Sequence, residues 1–383
     1  MNNQTKQKTK KQRLVRAGRL LTPLALSLSV VLTACGSDDN STDAAKNAGS
    51  SKIDCATGSI AGSGSTFVQN IVQQWVKDYQ AACPGSTINY QGVGSGTGIT
   101  QFTNGQVDFA ASDVALKASE QTAADAKHGK VITIPWAAGG VAVEYHLTGV
   151  EALRLSPATL AGIFSGAIKT WGDPAIAADN TGRRIPDTPI QVVHRSDGSG
   201  TTAVFTEFLT ATAPQAWTVG SGKEVAWPIG QGQKGSDGVT ALVKQTEGAI
   251  GYAELSFAKA NGMPTATIKN EAGKFVGPDN AAAVTAALAE ATIGADLKVT
   301  PNYKPMAETA YPLSSFTYAI VPSPIGDAAK GKLISSFMTY ALAQGQDSAT
   351  GLGYAPLPTT LVDQAKAVAA QLVTTPTATT AKP

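Results

Sequence analysis

The chain has 383 residues, 43% hydrophobic and 15% charged, which is enough for two domains with ordinary cores and too much for one compact unit. Thirty basic against 28 acidic residues give a formal net charge of +2, but seven of the basic ones (Lys6, Lys8, Lys10, Lys11, Arg13, Arg16 and Arg19) stand in the first 35 positions, where there is no acid. Setting that segment aside leaves 23 basic against 28 acidic residues, a formal net of −5, and a nucleic-acid partner loses its main support.

The basic stretch runs directly into "LLTPLALSLSVVLTAC", the pattern of an export signal and not of a domain. Nothing later offers the ~20 uninterrupted apolar residues of a spanning helix, so the mature protein is expected to be soluble or merely tethered. "LTAC", Leu32 to Cys35, resembles the lipobox of bacterial lipoproteins. That resemblance implies residues 1–35 as a lipoprotein signal peptide, a lipid on Cys35 and a flexible tether over 36–54. Two acyl chains would hold such a protein firmly to a membrane. The plainer reading is a cleaved signal with a chance cysteine. With Cys35 assigned to lipid, Cys55 and Cys83 remain, an even pair in an oxidising compartment, and a disulfide is the economical reading against two free thiols.

From Ser65, "STFVQNIVQQWVKDYQ" sets Phe67, Ile71 and Trp75 at i+4 steps and predicts an amphipathic helix that "CPG" ends. "STINYQGV" reads as a strand, "GSGTGITQFTNGQ" as a turn with a short helix, and "VDFAASD" as a strand ending in Asp113. The same alternation continues with the strand "GGVAVEYHL", the serine-capped helix "SPATLAGIF", the strand "PIQVVH" and the helix "TTAVFTEFLTA". Then come helices at "DGVTALVKQT" and "DNAAAVTAALAEAT" around the strand "GAIGYAE", the strand "SSFTYAIVP", and helices at "DAAKGKLISSFMTYALAQGQ" and "TTLVDQAKAVAAQLV". The tail 374–383, "TTPTATTAKP", is expected to be disordered.

Three turns share one design: "GSGSTF" at 62–67, "GVGSGTG" at 92–98 and "SDGSGTT" at 196–202. Glycine lets a ligand approach the backbone, the first amides of the following helix point outward, and serine or threonine adds a hydroxyl. Arg195 beside the third supplies a planar cationic fork suited to an oxyanion; its plain alternative is a surface ion pair with Asp197. A carboxylate in such a site repels a fully ionised anion but can accept a hydrogen bond from one that carries a proton, as phosphate does and sulfate does not. Asp113 is placed for that role. No turn has the lysine of a P-loop, no G-x-S-x-G elbow occurs, and His128, His146 and His194 do not fall at metal-ligand spacing, so neither a metal nor a cofactor is expected.

Taken together, "GSGSTF", "NYQGVGSGTG", "VDFAASD", "RSDGSGTT", "WPIGQGQKGSDGV" and "GAIGYAE" resemble the phosphate-binding protein of bacterial ABC phosphate importers, the PstS family, from Ile60 to Leu361. The resemblance implies an α/β, two-lobe periplasmic-binding-protein fold of type II, with mixed sheets flanked by helices and a two-strand hinge. Lobe I would comprise 55–137 and 313–373, and lobe II 138–312. It implies a non-enzymatic monomer that closes over inorganic phosphate and hands it to the importer's permease subunits. By motif, the contacts would be Thr66, Phe67 (through its amide), Ser95 and Asp113 from one lobe and Arg195, Ser199, Gly200 and Thr201 from the other, with Asp197 holding the Arg195 guanidinium. The chain departs from the family in having His194 where a second arginine often precedes Arg195, and in the Cys55/Cys83 pair, which suggests a Gram-positive, actinobacterial-like branch with the protein lipid-anchored outside the cell membrane. The alternatives are a receptor for another tetrahedral oxyanion, and an extracellular phosphatase of related fold.

Overall fold

The computed structural model describes residues 53–373. The export signal with Cys35, nearly all of the tether and the tail 374–383 lie outside the described residues. The chain opens with β1 (Gly58–Gly64), α1 (Gln69–Ala82), β2 (Ser86–Gly92), α2 (Ser95–Thr103), β3 (Phe109–Ser112), α3 (Ala118–His128) and β4 (Val131–His146). α1 buries Ile71, Val72, Trp75 and Tyr79. Trp75 meets Trp136 edge-on with ring centroids 5.5 Å apart, which anchors the helix on the sheet. The periodicity predicts a start at Ser65, yet the helix begins at Gln69. Phe67 and Val68 are buried, but the Gln69 amide donates to the Thr66 carbonyl three residues back at 3.1 Å, so this stretch is a tight turn, with the Phe67 amide on Ser65 Oγ at 2.9 Å. Cys55 and Cys83 form the expected disulfide, across a sequence separation of 28 residues. In the chain-entropy picture a loop of this size stabilises the fold by about 3 kcal/mol.

The chain continues with β5 (Arg154–Leu155), α4 (Pro157–Phe164), α5 (Pro174–Asp179), β6 (Gln191–Arg195), α6 (Gly200–Thr212), β7 (Gln231–Gln233), α7 (Gly235–Gln245), β8 (Ala249–Glu254) and α8 (Leu255–Asn261). After these come β9 (Thr267–Lys269), β10 (Phe275–Val276), α9 (Ala281–Leu288), β11 (Thr292–Ile293), β12 (Val299–Thr300), β13 (Ser314–Pro322), α10 (Ala328–Ala341), α11 (Ala349–Leu352) and α12 (Thr359–Ala369). The caps follow the sequence: Ser156 Oγ accepts from the Thr159 amide with Pro157 at the first helical position of α4, and Asp327 accepts from two amides of α10.

Eight strands form one mixed sheet in the order β2-β1-β3-β13-β4-β8-β6-β7. β1 is parallel to β2 and β3, β13 is antiparallel to both β3 and β4, and β4 is antiparallel to β8, which runs parallel to β6. β4 is longer than the strand expected at "GGVAVEYHL", because Pro135 interrupts a run that otherwise reads as strand. The ladder accommodates it at a register shift: Thr317 stands opposite Ala137 and Tyr318 opposite Pro135, so Trp136 is an extra residue on β4. The same strand changes partner along its length, pairing with β13 as far as Gly140 and with β8 from Val141. Through these pairings β1 and β3 run one way across the sheet and β6 the other, so the turns that follow them come from the two halves of the sheet.

Candidate anion-binding site

The three glycine turns meet. The Gly96 amide donates to the Gly198 carbonyl at 2.8 Å, joining the second turn to the third. Arg195 joins the third to the first, its Nη1 donating to Thr66 Oγ1 at 3.0 Å. Thr66 Oγ1 also lies 2.8 Å from Ser236 Oγ, in the first turn of α7. Thr66, Arg195 and Ser236 are all buried.

Asp197 fixes the arginine. Its Oδ1 accepts from Arg195 Nε at 2.7 Å and its Oδ2 from Nη2 at 2.5 Å, a two-point grip matched to the planar fork. Oδ1 further accepts from the Gly235 amide at 3.1 Å. Burial alone would raise the Asp197 carboxyl, but the Arg195 hydrogen bonds and charge prevail and hold it below the usual carboxylate range. The Arg195 side chain is only 1% exposed, so this pair is not the surface ion pair of the plain alternative. Asp197 therefore stands as the holder of Arg195, the part that the resemblance implies.

Asp113 has a different environment. Standing one residue beyond β3, it is buried, and its Oδ1 accepts from Ser65 Oγ at 2.5 Å and from Thr317 Oγ1 at 2.9 Å. Its Oδ2 has no hydrogen-bond partner. Burial pushes the carboxyl up to about 6, against the lowering effect of the Ser65 and Thr317 hydroxyls, the Arg195 charge and, least, the neighbouring Ser95 hydroxyl. Buried polar atoms are nearly always paired. Eight side-chain atoms among the described residues are exceptions, and three of them, Ser95 Oγ, Asp113 Oδ2 and Thr201 Oγ1, belong to the expected site.

Two glycines show how closely these groups converge. A Cβ on Gly200 would lie 2.3 Å from Asp113 Oδ2 and 2.4 Å from Ser95 Oγ, so no side chain fits where α6 begins. A Cβ on Gly94, whose φ is +91°, would lie 2.2 Å from Asp197 Oδ2. The unpaired acceptor of Asp113, the Ser95 hydroxyl and the opening amides of α6 thus border one point. Ser199 caps α6, its Oγ accepting from the Thr202 amide at 3.0 Å while its own proton stays available to a ligand. The arrangement offers hydroxyls, helix-terminal amides and a held guanidinium to an anion, and one carboxylate oxygen to a proton on it.

The residues named from the sequence are brought together here, with one difference in detail: the Phe67 amide, expected to face the ligand, donates to Ser65 Oγ. Three further residues complete the site. Ser65 and Thr317 hold Asp113, and Ser236 holds Thr66. Ser236 carries a signal, since "KGSDG" opens α7 with the same glycine and serine as the other turns; Thr317 carries none, being 204 residues from its partner. Among the described residues there is no group of three or more His, Cys, Asp or Glu able to hold a metal ion, and no helix long and apolar enough to cross a membrane.

A PBP superfamily domain profile matches residues 49–344. Phosphate-binding protein PstS 3 of Mycobacterium tuberculosis is 39% identical over 339 residues, 86% of this chain and 92% of that one. Phosphate-binding protein PstS of Xylella fastidiosa is 38% identical over 357 residues, 90% of this chain and 96% of that one. Among solved structures, a high affinity periplasmic phosphate-binding protein, PfluDING, bound with phosphate, superposes with a TM-score of 0.67 at 28% identity over 81% of this chain and 93% of its own. The mixed sheet with its flanking helices is the periplasmic-binding-protein fold, and the chain belongs to the PstS family of phosphate-binding proteins.

Proposed function

We propose that this protein captures inorganic phosphate and delivers it to the permease subunits of an ABC importer. The observation that carries the reading is the buried, unpaired Oδ2 of Asp113, set against Ser95 and the start of α6 and within the electrostatic reach of Arg195. A carboxylate acceptor there costs affinity for every fully ionised anion and is matched by one that still carries a proton. The contacts would be Thr66, Ser95, Asp113, Arg195, Ser199, Gly200 and Thr201, with the Phe67 amide freed from Ser65 when the ligand arrives. No covalent chemistry on phosphate is part of this reading: the protein binds and releases.

The two lobes are assigned to 55–137 with 313–373 and to 138–312. The partner exchange of β4 at Gly140 and Val141 supports a boundary where β4 and β13 run side by side, because strands shared by two halves of a sheet are natural hinges. The lipobox resemblance supports an anchor at Cys35 and an extracytoplasmic position, and the Cys55–Cys83 pair supports a Gram-positive cell as the setting. The protein would act as a monomer.

Calorimetric titration of the mature, ligand-free chain with phosphate, arsenate and sulfate tests the function. Phosphate and arsenate, both protonated near neutral pH, should bind at one site, and sulfate far more weakly. A flat phosphate trace from demonstrably ligand-free protein overturns the proposal.

A further inference from the structure

We infer that Thr317, a residue of β13 far in sequence from all three glycine turns, is a specificity-determining positioning residue: its hydroxyl decides which oxygen of Asp113 meets the anion and leaves that oxygen to accept from it. The inference rests on the phosphate reading of the site.

A carboxylate oxygen accepts two hydrogen bonds in its plane. Oδ1 of Asp113 receives both, from Ser65 at 2.5 Å and from Thr317 at 2.9 Å, and is used up inside the protein. Oδ2 is the only acceptor left, and it faces Gly200 and Ser95. With Thr317 absent, one donor on Oδ1 would no longer pin the carboxyl plane, and the charged form would lose a hydrogen bond that favours it. Thr317 is fully buried, so water does not replace that bond.

The backbone is shaped to bring this hydroxyl in. The register of β13 on β4 shifts between Thr317 and Tyr318, with Trp136 as the extra residue on β4. On its other edge β13 pairs Tyr318 with Ser112, the residue before Asp113. A bulge beside a site re-aims a side chain, and here the irregularity lies at the residue that reaches the carboxylate.

The titratable groups around Asp113 come from several elements. Arg195 on β6 lowers it. Tyr90 on β2 feels its charge but ionises far above neutrality. Glu254, at the junction of β8 and α8, is coupled to it and is itself pushed up to about 8 by burial, so it is largely neutral while Asp113 titrates. Near pH 6 the carboxyl of Asp113 is thus the group that changes.

Sulfate, which has no proton at any relevant pH, is the probe. It should bind better as Asp113 takes up a proton and turns from acceptor to donor. The experiment follows Asp113 by carboxyl carbon NMR in the ligand-free full chain, assigned with Asp113→Asn, and measures phosphate and sulfate affinities from pH 5 to 8, in the wild type, Thr317→Val and Thr317→Ser. Losing one hydrogen bond to a charged group corresponds to roughly one pH unit. Thr317→Val should therefore titrate about one unit higher and raise the sulfate-to-phosphate affinity ratio at pH 7 about fivefold. Thr317→Ser, which keeps the hydroxyl, should follow the wild type. If Thr317→Val fails to fold, Thr317→Ala, which removes the same donor without a branched apolar replacement, is read in the same way. Equal Asp113 midpoints in the hydroxyl-free variant and the wild type overturn the inference. Because the NMR titration needs no ligand, it judges Thr317 even if wild-type protein binds neither anion, a result that would instead overturn the phosphate reading.

Discussion

Asp197 grips Arg195 through Nε and Nη2 and leaves Nη1 directed at Thr66 across the meeting of two turns. The guanidinium is thus held before any anion arrives, and little side-chain freedom remains to be lost on binding. Arg195→Lys keeps the charge but cannot present a fork to Asp197 or reach Thr66 at the same time. Phosphate affinity should fall, by less than the roughly 3–5 kcal/mol that follows outright loss of one partner of a buried charge pair. Titration calorimetry reads it, and equal affinities would place Arg195 outside the site.

Asp113→Asn should alter discrimination more than affinity. The amide oxygen still accepts from protonated phosphate, while a rotated amide donates to a proton-free anion and no longer repels it. Relief of a mismatch worth ~1–3 kcal/mol should improve sulfate binding relative to phosphate by about one to two powers of ten. Paired titrations at one pH and ionic strength give the ratio, and an unchanged ratio leaves Asp113 as no more than a structural carboxylate.

What could be read from the chain follows the range of the interactions. The three turns are legible because glycine, serine and a following helix are local signals, and Arg195 and Asp197 lie two residues apart. The strand of Val131 to Ala138 is not, because Pro135 is tolerated only through a register shift that depends on a partner some 180 residues onward. Thr317 is invisible for the same reason: its role exists only once β13 is inserted between β3 and β4. The start of α1 is misjudged because apolar periodicity continues through Phe67 and Val68 while the backbone there closes a three-residue turn, Gln69 amide to Thr66 carbonyl, before the i−4 ladder begins.

Closure should depend on an ion pair at the mouth of the site. Lys223 Nζ lies 2.5 Å from Glu120 Oε1, and Lys223 also offers its carbonyl to the amide of Ser199, the cap of α6. Glu120 is doubly used, its Oε2 accepting from the Lys117 amide at the start of α3. By the lobe assignment above, the pair ties lobe I to lobe II. Its side chains are 8% and 23% exposed, so salt screens it only in part. Lys223→Met should speed phosphate release about tenfold or somewhat less, with little change in the association rate, since a partly exposed pair contributes on the order of 1 kcal/mol. Stopped-flow release at low and high salt measures this. Identical release rates at low salt would show that the pair does not latch the closed form.

Glu144 on β4 is fully buried; its Oε2 accepts from Thr240 Oγ1 at 3.1 Å, and its Oε1 has no partner. Burial pushes it up to about 8, against a small lowering by Thr240. A carboxyl raised in the folded state favours folding while protonated. That contribution is complete below the unfolded value near 4.5 and is lost as pH rises through about 8. Glu254, also pushed up to about 8 by burial, acts in the same direction. Each such group should lower stability by up to about 1.4 kcal/mol per pH unit across that window. Glu144→Gln keeps the size and the acceptor for Thr240 but cannot ionise. It should match the wild type near pH 5 and exceed it near pH 8 by roughly a few kcal/mol, with a shallower decline between. Urea unfolding of ligand-free protein at pH 5, 6.5 and 8 provides the comparison. Parallel stability profiles for the two proteins would mean that Glu144 ionises in the folded chain without penalty, through a relaxation that brings water or a cation to Oε1.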